Sequence, residues 1–416
     1  MNKIIINNPV VKDRTISYEY RVSGEWKKCF IEAEKAFVEY SISVDSVPKS
    51  VAIVPFLCNI LPMAWVYNAE IEIEECDEDF YNSIEDIKNG YSNMYPMLDF
   101  SADIKVKKFV KNIPAKTGKA AVFFSGGADA FNTLVMHAEE KPTLLTVWGA
   151  DVTFEDEKGW NLVVDHLKDT ANRFGVDYIT IKSSFRRFIN AWELTQHVKK
   201  TKDNWWHGFQ HGIGIIGHCA PISYITGTTC VYFASSFTIK ERGLVTCASD
   251  PTIDNMLHFC QTNIYHDGYE FNRQAKLHNI TSYAKKNDKK ISLRVCWLSD
   301  GGSNCCHCEK CIRTIMGVYA EGFEPREFGF NFKDSEIKKI SRFLKYDDSK
   351  QIGKLRYEPI QKAMRNNCKI DDLPKELKWF YKTDIGKLGV HPVVSFFVKY
   401  KKKVVKKIGR LINGFK

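Results

Sequence analysis

The chain has 416 residues, of which 44% are hydrophobic, 13% aromatic and 26% charged, so it can bury more than one core and is neither disordered nor fibrous. Its formal net charge is +10, but eight basic residues and no acidic residue follow position 398, which leaves +2 for residues 1–398. A body this close to neutral argues against a broad nucleic-acid-binding face. The basic end favours an anionic partner such as a lipid surface.

The first third of the chain indicates strands, and the middle indicates an α/β domain. Residues 1–112 alternate apolar and polar side chains at Thr15–Val22 and Glu70–Glu74, so we expect a β-rich N-terminal domain of unknown role. Residues 113–330 alternate helix-like segments with short apolar runs, which predicts a parallel sheet with helices on both faces. These runs are Ala120–Phe124, Thr143–Trp148, Tyr178–Ile181 and Cys230–Ala234. Residues 331–416 are expected to form a helical C-terminal region.

Two features bear on localisation. The N-terminus reaches Asn7-Asn8-Pro9 before an apolar segment of signal-peptide length forms, so we expect no cleaved leader and a cytoplasmic protein. The segment His211–Thr238 has no Asp, Glu, Lys or Arg, but its glycines, histidines and Pro221 favour a buried helix and a strand over a membrane span.

A glycine-rich turn follows the first apolar run of the α/β domain. Ala120–Phe124 leads into Ser125-Gly126-Gly127-Ala128-Asp129-Ala130, and a helix-like segment comes next. Two adjacent glycines let several N–H groups point into one concavity, and the N-terminus of a helix adds positive charge, which together suit phosphate. Asp129 would repel phosphate unless a divalent cation lies between them, so the turn predicts Mg²⁺. The alternative is a plain strand-to-helix turn capped by Ser125.

The pattern Ser-Gly-Gly-x-Asp after a buried strand resembles the PP-loop of the ATP pyrophosphatase superfamily, whose members cleave ATP between the α and β phosphates to adenylate a substrate oxygen. The resemblance implies a PP-loop/HUP-like fold, ATP and Mg²⁺ as cofactors, and catalytic roles for Ser125 and Asp129. The family usually has Ser where this chain has Ala130, so one phosphate contact is missing. The implied nucleotide-binding residues are Ser125, Gly126, Gly127, Ala128, Asp129, Ala130, Trp148, Gly149 and Ser235.

Four cysteines have the spacing Cys-x8-Cys-x2-Cys-x2-Cys, namely Cys296, Cys305, Cys308 and Cys311. Four thiolates this close can converge on one Zn²⁺, and a site with four protein ligands is structural because it keeps no open position. The adjacent Cys306 and His307 are surplus, although either could replace a neighbour. The alternatives are an iron–sulfur cluster, a redox dithiol or reduced core cysteines.

The cysteine spacing, followed by Ile312-Arg313, resembles the zinc site of the 7-cyano-7-deazaguanine synthase family. Members of that family are PP-loop enzymes that convert a carboxylate to a nitrile with ATP and ammonia. The two resemblances occur in the same order along one chain and together cover roughly residues 118–320. They therefore reinforce each other.

Three further sets of polar residues stand out, of which the first two are candidates for substrate binding. Asp250 and Asp254 form a carboxylate pair that could hold Mg²⁺ or a substrate amine. Arg273 and Lys276, one helical turn apart, could receive pyrophosphate or a substrate carboxylate, or else form a solvated helix face. The third set shares one face of a helix-like stretch without nearby acids, and we interpret it as buried, hydrogen-bonded histidines rather than ligands: His207, His211 and His218.

The C-terminal residues 396–416 have apolar side chains every three or four positions and basic residues on the other faces. This pattern predicts an amphipathic basic helix that lies on an anionic membrane surface, and a solvated lysine-rich tail is the alternative.

The sequence therefore predicts a cytoplasmic enzyme, peripheral at the inner face of the membrane, that adenylates a carboxylate or carbonyl oxygen with Mg·ATP. Pyrophosphate leaves, and a nitrogen or sulfur nucleophile then displaces AMP. The basic end favours a small-molecule or glycan-precursor substrate in cell-surface glycan or nucleotide-sugar modification. The alternatives are nitrile or amide formation of the deazaguanine synthase type, tRNA thiolation, and a non-catalytic nucleotide-binding protein.

Overall fold

The computed structural model describes residues 1–115, 118–296, 302–338 and 350–385, which form a mixed α/β structure. The chain divides into two compact units, of which the first comprises Met1–Glu270 and the second begins at Phe271.

The first unit contains two sheets. Its strands are β1 (Lys3–Ile6), β2 (Val10–Lys12), β3 (Thr15–Tyr18), β4 (Tyr20–Ser23), β5 (Ala36–Tyr40), β6 (Glu70–Asp77), β7 (Ile104–Val110), β8 (Lys119–Phe123), β9 (Thr143–Trp148), β10 (Tyr178–Ser183), β11 (Thr228–Ala234), β12 (His258–Phe259) and β13 (Thr262–Asp267). The larger sheet has the order β12-β13-β11-β8-β9-β10-β5-β3-β2, and the smaller one β4-β1-β6-β7.

Five neighbouring strands of the larger sheet, β13, β11, β8, β9 and β10, run parallel. Four of the five residues of β8 and the first four of β9 are buried. Strands covered on both faces are apolar throughout, which is why these runs could be recognised from the sequence. The predicted mixed α/β fold with parallel strands is confirmed, although the same sheet also has antiparallel strands at both edges.

The described part of the first unit also contains α-helices. They are α1 (Lys49–Ala52), α2 (Val54–Tyr67), α3 (Glu78–Met94), α4 (Ala128–Met136), α5 (Glu157–Phe174), α6 (Ala191–His197), α7 (Ile213–Ile216), α8 (Cys219–Thr226) and α9 (Pro251–Asp254). Helix α4 packs on β8 and β11, and α5 packs on β9 and β10. Helix α5 begins after Asp156, whose carboxylate accepts the N–H of Gly159, and ends at Gly175 in the left-handed conformation.

The N-terminal region differs from the prediction in two ways. Residues 1–112 contain the buried helix α2 and the amphipathic helix α3 as well as strands, so the region is not simply β-rich. Thr15–Val22 is not one strand, because β3 and β4 belong to different sheets. Strand β5 pairs with β10 and covers the edge of the parallel strands, so the chain does not divide near residue 112.

The second unit is helical where it is described. Its helices are α10 (Arg273–Lys286), α11 (Glu309–Ala320), α12 (Asp334–Ile337), α13 (Lys350–Asn367) and α14 (Lys375–Lys382). Helix α11 packs against α10 and α13. This unit begins at Phe271, whereas the sequence predicted a boundary after residue 330.

The charge-free segment from residue 211 forms the buried helices α7 and α8 and then β11, as predicted. Among the described residues, no helix has the length and apolar character needed to cross a membrane. The predicted amphipathic helix at 396–416 lies outside the described residues, so it stays a prediction.

Candidate active site and metal centre

The glycine-rich turn joins β8 to the N-terminus of α4, as the sequence predicted. Gly126 has a φ of +76°, a left-handed conformation that glycine adopts without strain. Gly127 is the N-cap of α4, and its N–H donates to Oγ of Ser125 at 3.4 Å. Ser125 is exposed and Asp129 is half-buried in the first turn of α4, whereas Ala130 is only 3% exposed.

The predicted nucleotide-binding pair Trp148 and Gly149 lies at the carboxyl end of β9. The Trp148 ring stacks on Trp160 with 5.2 Å between centroids, and Nζ of Lys182 lies 4.7 Å from the Trp148 centroid. Gly149 has a φ of +103°, and a Cβ there would lie 2.2 Å from the carbonyl oxygen of Ser183. An aromatic surface with a cation beside it suits a planar, electron-rich group.

Ser235 follows β11, the strand on the other side of β8. Its N–H donates to the carbonyl oxygen of Asp267 at 2.8 Å, and its hydroxyl donates to the carbonyl oxygen of Phe237. The Asp267 carboxylate accepts the hydroxyl of Thr133 at 2.6 Å and lies 3.0 Å from Nε2 of His137. Asp267 therefore connects β13 to α4, a role that the sequence did not indicate.

The carboxylates of Asp250 and Asp254 have structural partners in the first unit. Oδ1 of Asp250 accepts the N–H and the hydroxyl of Thr252 and so caps α9. Asp254 is fully buried, with Oδ2 at 2.8 Å from Nδ1 of His266, and it accepts the hydroxyl of Ser249. Burial raises the pKa of Asp254, although His266 opposes the rise. Oδ1 of Asp254 is buried without a hydrogen-bond partner among the described residues, and substrate binding by the two carboxylates stays a prediction.

Arg273 and Lys276 lie in the first turn of α10, in the second unit. Lys276 is only 2% exposed, so the alternative of a solvated helix face is wrong for this residue. Substrate binding by the pair stays a prediction.

The four predicted cysteines lie together in the second unit. Their ligand atoms are all within 4.8 Å of one another, so they could hold a metal ion such as zinc. Sγ of Cys296 is 3.9 Å from Sγ of Cys308, and Sγ of Cys305 is 4.0 Å from Sγ of Cys311. Tetrahedral Zn²⁺ with bonds of about 2.3 Å requires sulfur atoms roughly 3.8 Å apart, so the cluster fits this ion.

Neighbouring groups orient these cysteines. Oδ1 of Asn304 accepts the N–H groups of Val295 and Cys296, which fixes the first ligand relative to the other three. Cys308 is the N-cap of α11, and its sulfur accepts the N–H of Cys311 at 3.4 Å.

The two surplus residues have other partners. The thiol of Cys306 donates to the carbonyl oxygen of Asn304 at 3.6 Å. Nδ1 of the exposed His307 lies 2.7 Å from the carbonyl oxygen of Cys305. The geometry thus brings together the predicted quartet and leaves out both surplus residues.

The three histidines of the helix-like stretch have different surroundings. His218 is fully buried between the hydroxyl of Ser183 and the carbonyl oxygen of Ile215, as interpreted from the sequence. The assumption that no acid lies near is wrong for His207, since its Nδ1 is 3.1 Å from Asp203. His211 lies beside Cys247. The i,i+4 spacing of Asp203 and His207 was the available signal for this contact, whereas nothing in the sequence indicated Cys247.

A cation that the sequence did not single out also lies near the end of β9. The guanidinium of Arg186 packs on the Trp206 ring at 4.0 Å and donates to the carbonyl oxygen of Ala150. Burial lowers the pKa of Arg186 from its usual value, and Asp151 opposes this effect.

In comparisons with known proteins, no family model, curated protein or solved structure matches the chain.

Proposed function

We propose that the protein is an ATP-dependent enzyme of the PP-loop type that adenylates a substrate carboxylate or carbonyl oxygen. Pyrophosphate is released, and a nitrogen or sulfur nucleophile displaces AMP. Zinc, when bound by the four cysteines, stabilises the second unit and takes no part in the reaction.

The observation that carries this proposal is the position of the glycine-rich turn. It follows β8, the strand on either side of which the chain order of the parallel strands runs in opposite directions. Strands β9 and β10 follow β8 on one side, and β11 and β13 lie on the other. In open parallel sheets, ligands bind at this switch point, beyond the carboxyl ends of the strands. The same strand order suits the PP-loop/HUP-like fold that the resemblance implies.

The turn provides what a polyphosphate requires. The N–H groups at the start of α4 and the helix dipole favour negative charge, and the left-handed Gly126 opens the turn to an anion. Asp129 is the residue that would hold Mg²⁺, and Trp148 offers a face for the adenine ring. With ATP and Mg²⁺ bound, charge neutralisation and positioning by these groups would promote attack at the α phosphate.

Product analysis after incubation with ATP, Mg²⁺ and cell extract tests the proposal. Formation of AMP and pyrophosphate supports it, whereas formation of ADP contradicts it. Asp129→Asn should abolish AMP formation without unfolding the protein, because it removes one negative charge at almost constant volume. Asp165→Asn, the same change at an exposed position on α5, is the matched control and should behave like the wild type.

A non-catalytic nucleotide-binding protein is the second candidate, and the observation that favours it is the buried methyl group of Ala130 at the start of α4. This candidate predicts that Mg·ATP binds without turnover.

A further inference from the structure

Four polar side chains close to the end of β11 form a connected group: Asp203, His207, His211 and Cys247. Sγ of Cys247 lies 3.9 Å from Nδ1 of His211, and the His207 imidazole is close enough for the thiol and the imidazole to shift each other's pKa. Nδ1 of His207 is in turn 3.1 Å from Oδ1 of Asp203. Thiol, imidazole and carboxylate thus have the arrangement of an activated nucleophile, its partner and an orienting acid.

The orienting carboxylate is firmly held. Oδ2 of Asp203 accepts the hydroxyl of Tyr95 at 3.0 Å and that of Thr246 at 2.8 Å. The Asp203 side chain is 10% exposed, whereas the His207 side chain is 35% exposed. The imidazole is therefore oriented from the interior and can be reached from solvent.

The local backbone brings the thiol to the imidazole. Trp206–Gln210 is a π-helical turn, a rare form that occurs often at functional sites. The N–H of Ala248 donates to the carbonyl oxygen of His207 at 2.8 Å, which fastens the segment containing Cys247 to this turn.

The group lies near the carboxyl ends of the strands that flank the glycine-rich turn. The His211 ring is 6.1 Å from the ring of Phe233 in β11. Burial opposes protonation of His211, but Cys247, Asp151 and Asp254 together raise its pKa. Asp151 follows β9, and β8 lies between β9 and β11.

Cys247 differs from the other buried cysteines of the first unit in its electrostatics. Burial raises the pKa of its thiol, but His207 and His211 outweigh this effect and bring the pKa down to about 6. Burial raises the pKa of Cys219 to about 12. The phenols of Tyr91 and Tyr95 are also near Cys247: burial raises the pKa of each, and the charge of Cys247 adds to the rise.

Cysteine and histidine side chains can also bind a metal ion, which is the alternative to a nucleophile. Throughout the described ranges, the four-cysteine cluster is the one group of three or more ligand atoms within bonding range of a single ion. His207, His211 and Cys247 do not meet that condition, so their arrangement favours a nucleophile.

We infer that Cys247 is a nucleophile that accepts an acyl group, with the His207 imidazolium holding the thiolate and Asp203 as the positioning residue. The inference rests on the proposed function, because the acyl donor is the acyl adenylate made at the glycine-rich turn. The thiolate attacks the carbonyl carbon, so a C–S bond forms while the C–O bond to AMP breaks and AMP leaves with the electron pair. An amine then forms a C–N bond as the C–S bond breaks, and its proton passes to solvent.

Acetylation by 4-nitrophenyl acetate without ATP tests the nucleophile directly. We expect a burst of 4-nitrophenolate at pH 6.5, with the acetyl group found on Cys247 and not on Cys219 by peptide mass spectrometry. Absence of the acetyl group from wild-type Cys247 would overturn the inference. Because this reaction contains no ATP, that result would not contradict the proposed adenylation, which the measurement of AMP and pyrophosphate tests separately.

Variants separate a chemical role from a structural one. His207→Gln should slow acetylation of Cys247 roughly tenfold at pH 6, because the thiolate fraction falls more than the nucleophilicity of the remaining thiolate rises. The midpoint of the pH profile should move from about 6 towards 8.5, the value of an ordinary thiol, and Asp203→Asn should move it in the same direction. Cys219→Ser is the matched control and should keep the wild-type profile. An unchanged midpoint in His207→Gln would refute the assigned pair.

Discussion

Sγ of Cys296 lies 3.9 Å from Sγ of Cys308, although twelve positions separate the two residues. Two thiols at this separation suit a shared metal ion such as zinc, and the other two cysteines would complete four ligands.

We therefore expect one tightly bound Zn²⁺ per chain. Cys308→Ser should lose the metal and lower the thermal unfolding temperature, because structural zinc contributes directly to folding. Elemental analysis by mass spectrometry measures the metal content of both proteins. Cys306→Ser is the control, since its thiol lies outside the quartet, and it should retain zinc. Iron in the purified protein, or no metal, would contradict this prediction.

Ala130→Ser restores the hydroxyl that PP-loop proteins usually have. One added hydrogen bond to phosphate should strengthen Mg·ATP binding by about 0.5–1.5 kcal/mol, which titration calorimetry can measure. Ala138→Ser, near the far end of α4, should leave the affinity unchanged. Weaker binding by Ala130→Ser would show that the correspondence with the family fails at this position.

Gly149→Ala should destabilise the turn after β9 for two reasons. A φ of +103° strains any residue with a Cβ, and that Cβ would lie 2.2 Å from the backbone oxygen of Ser183. Gly118→Ala separates the two causes, because Gly118 has a φ of +97° and no neighbouring atom within 4 Å of an added Cβ. We expect a loss of about 1–2 kcal/mol for Gly118→Ala and a further 1–3 kcal/mol for Gly149→Ala by denaturant unfolding. Equal losses would mean that the turn relaxes around the added methyl group.

His218 should make the protein sensitive to acid. Burial lowers the pKa of His218 from 6.5 to about 4. Between these two values, His218 is protonated in the unfolded chain but stays neutral in the folded chain. Stability is thus unaffected above pH 6.5 and falls as the pH decreases towards 4, by about 2.5 kcal/mol between pH 7.5 and 4.5. His218→Gln should lack this part of the pH dependence in urea unfolding. The same slope in both proteins would assign the acid sensitivity to other groups.

The basic C-terminal residues should bind anionic membranes. Each basic residue near such a surface contributes on the order of 1 kcal/mol, so the full chain should float with anionic liposomes at low salt and be released at high salt. A chain ending at Ser395 is the control and should stay unbound. Equal recovery of the two proteins, or binding indifferent to salt, would end the membrane hypothesis.

The sequence by itself determined the features that depend on neighbouring residues. The apolar runs predicted strands β8 to β11, because strands buried on both faces are apolar throughout. The two adjacent glycines predicted the turn, and the cysteine spacing predicted the group of four cysteines. Each of these features depends on a short stretch of the sequence. The sequence did not determine where the N-terminal region ends. Alternating apolar and polar side chains are compatible with a strand in either of the two sheets.

Tertiary structure decided which distant segments meet. The order of the parallel strands, the addition of β5 to their edge, and the approach of Cys247 to His211 all join residues far apart in the chain. Local propensity carries no information about such contacts. They form because packing buries apolar surface from several segments at once, and buried polar groups must then find partners within that packing.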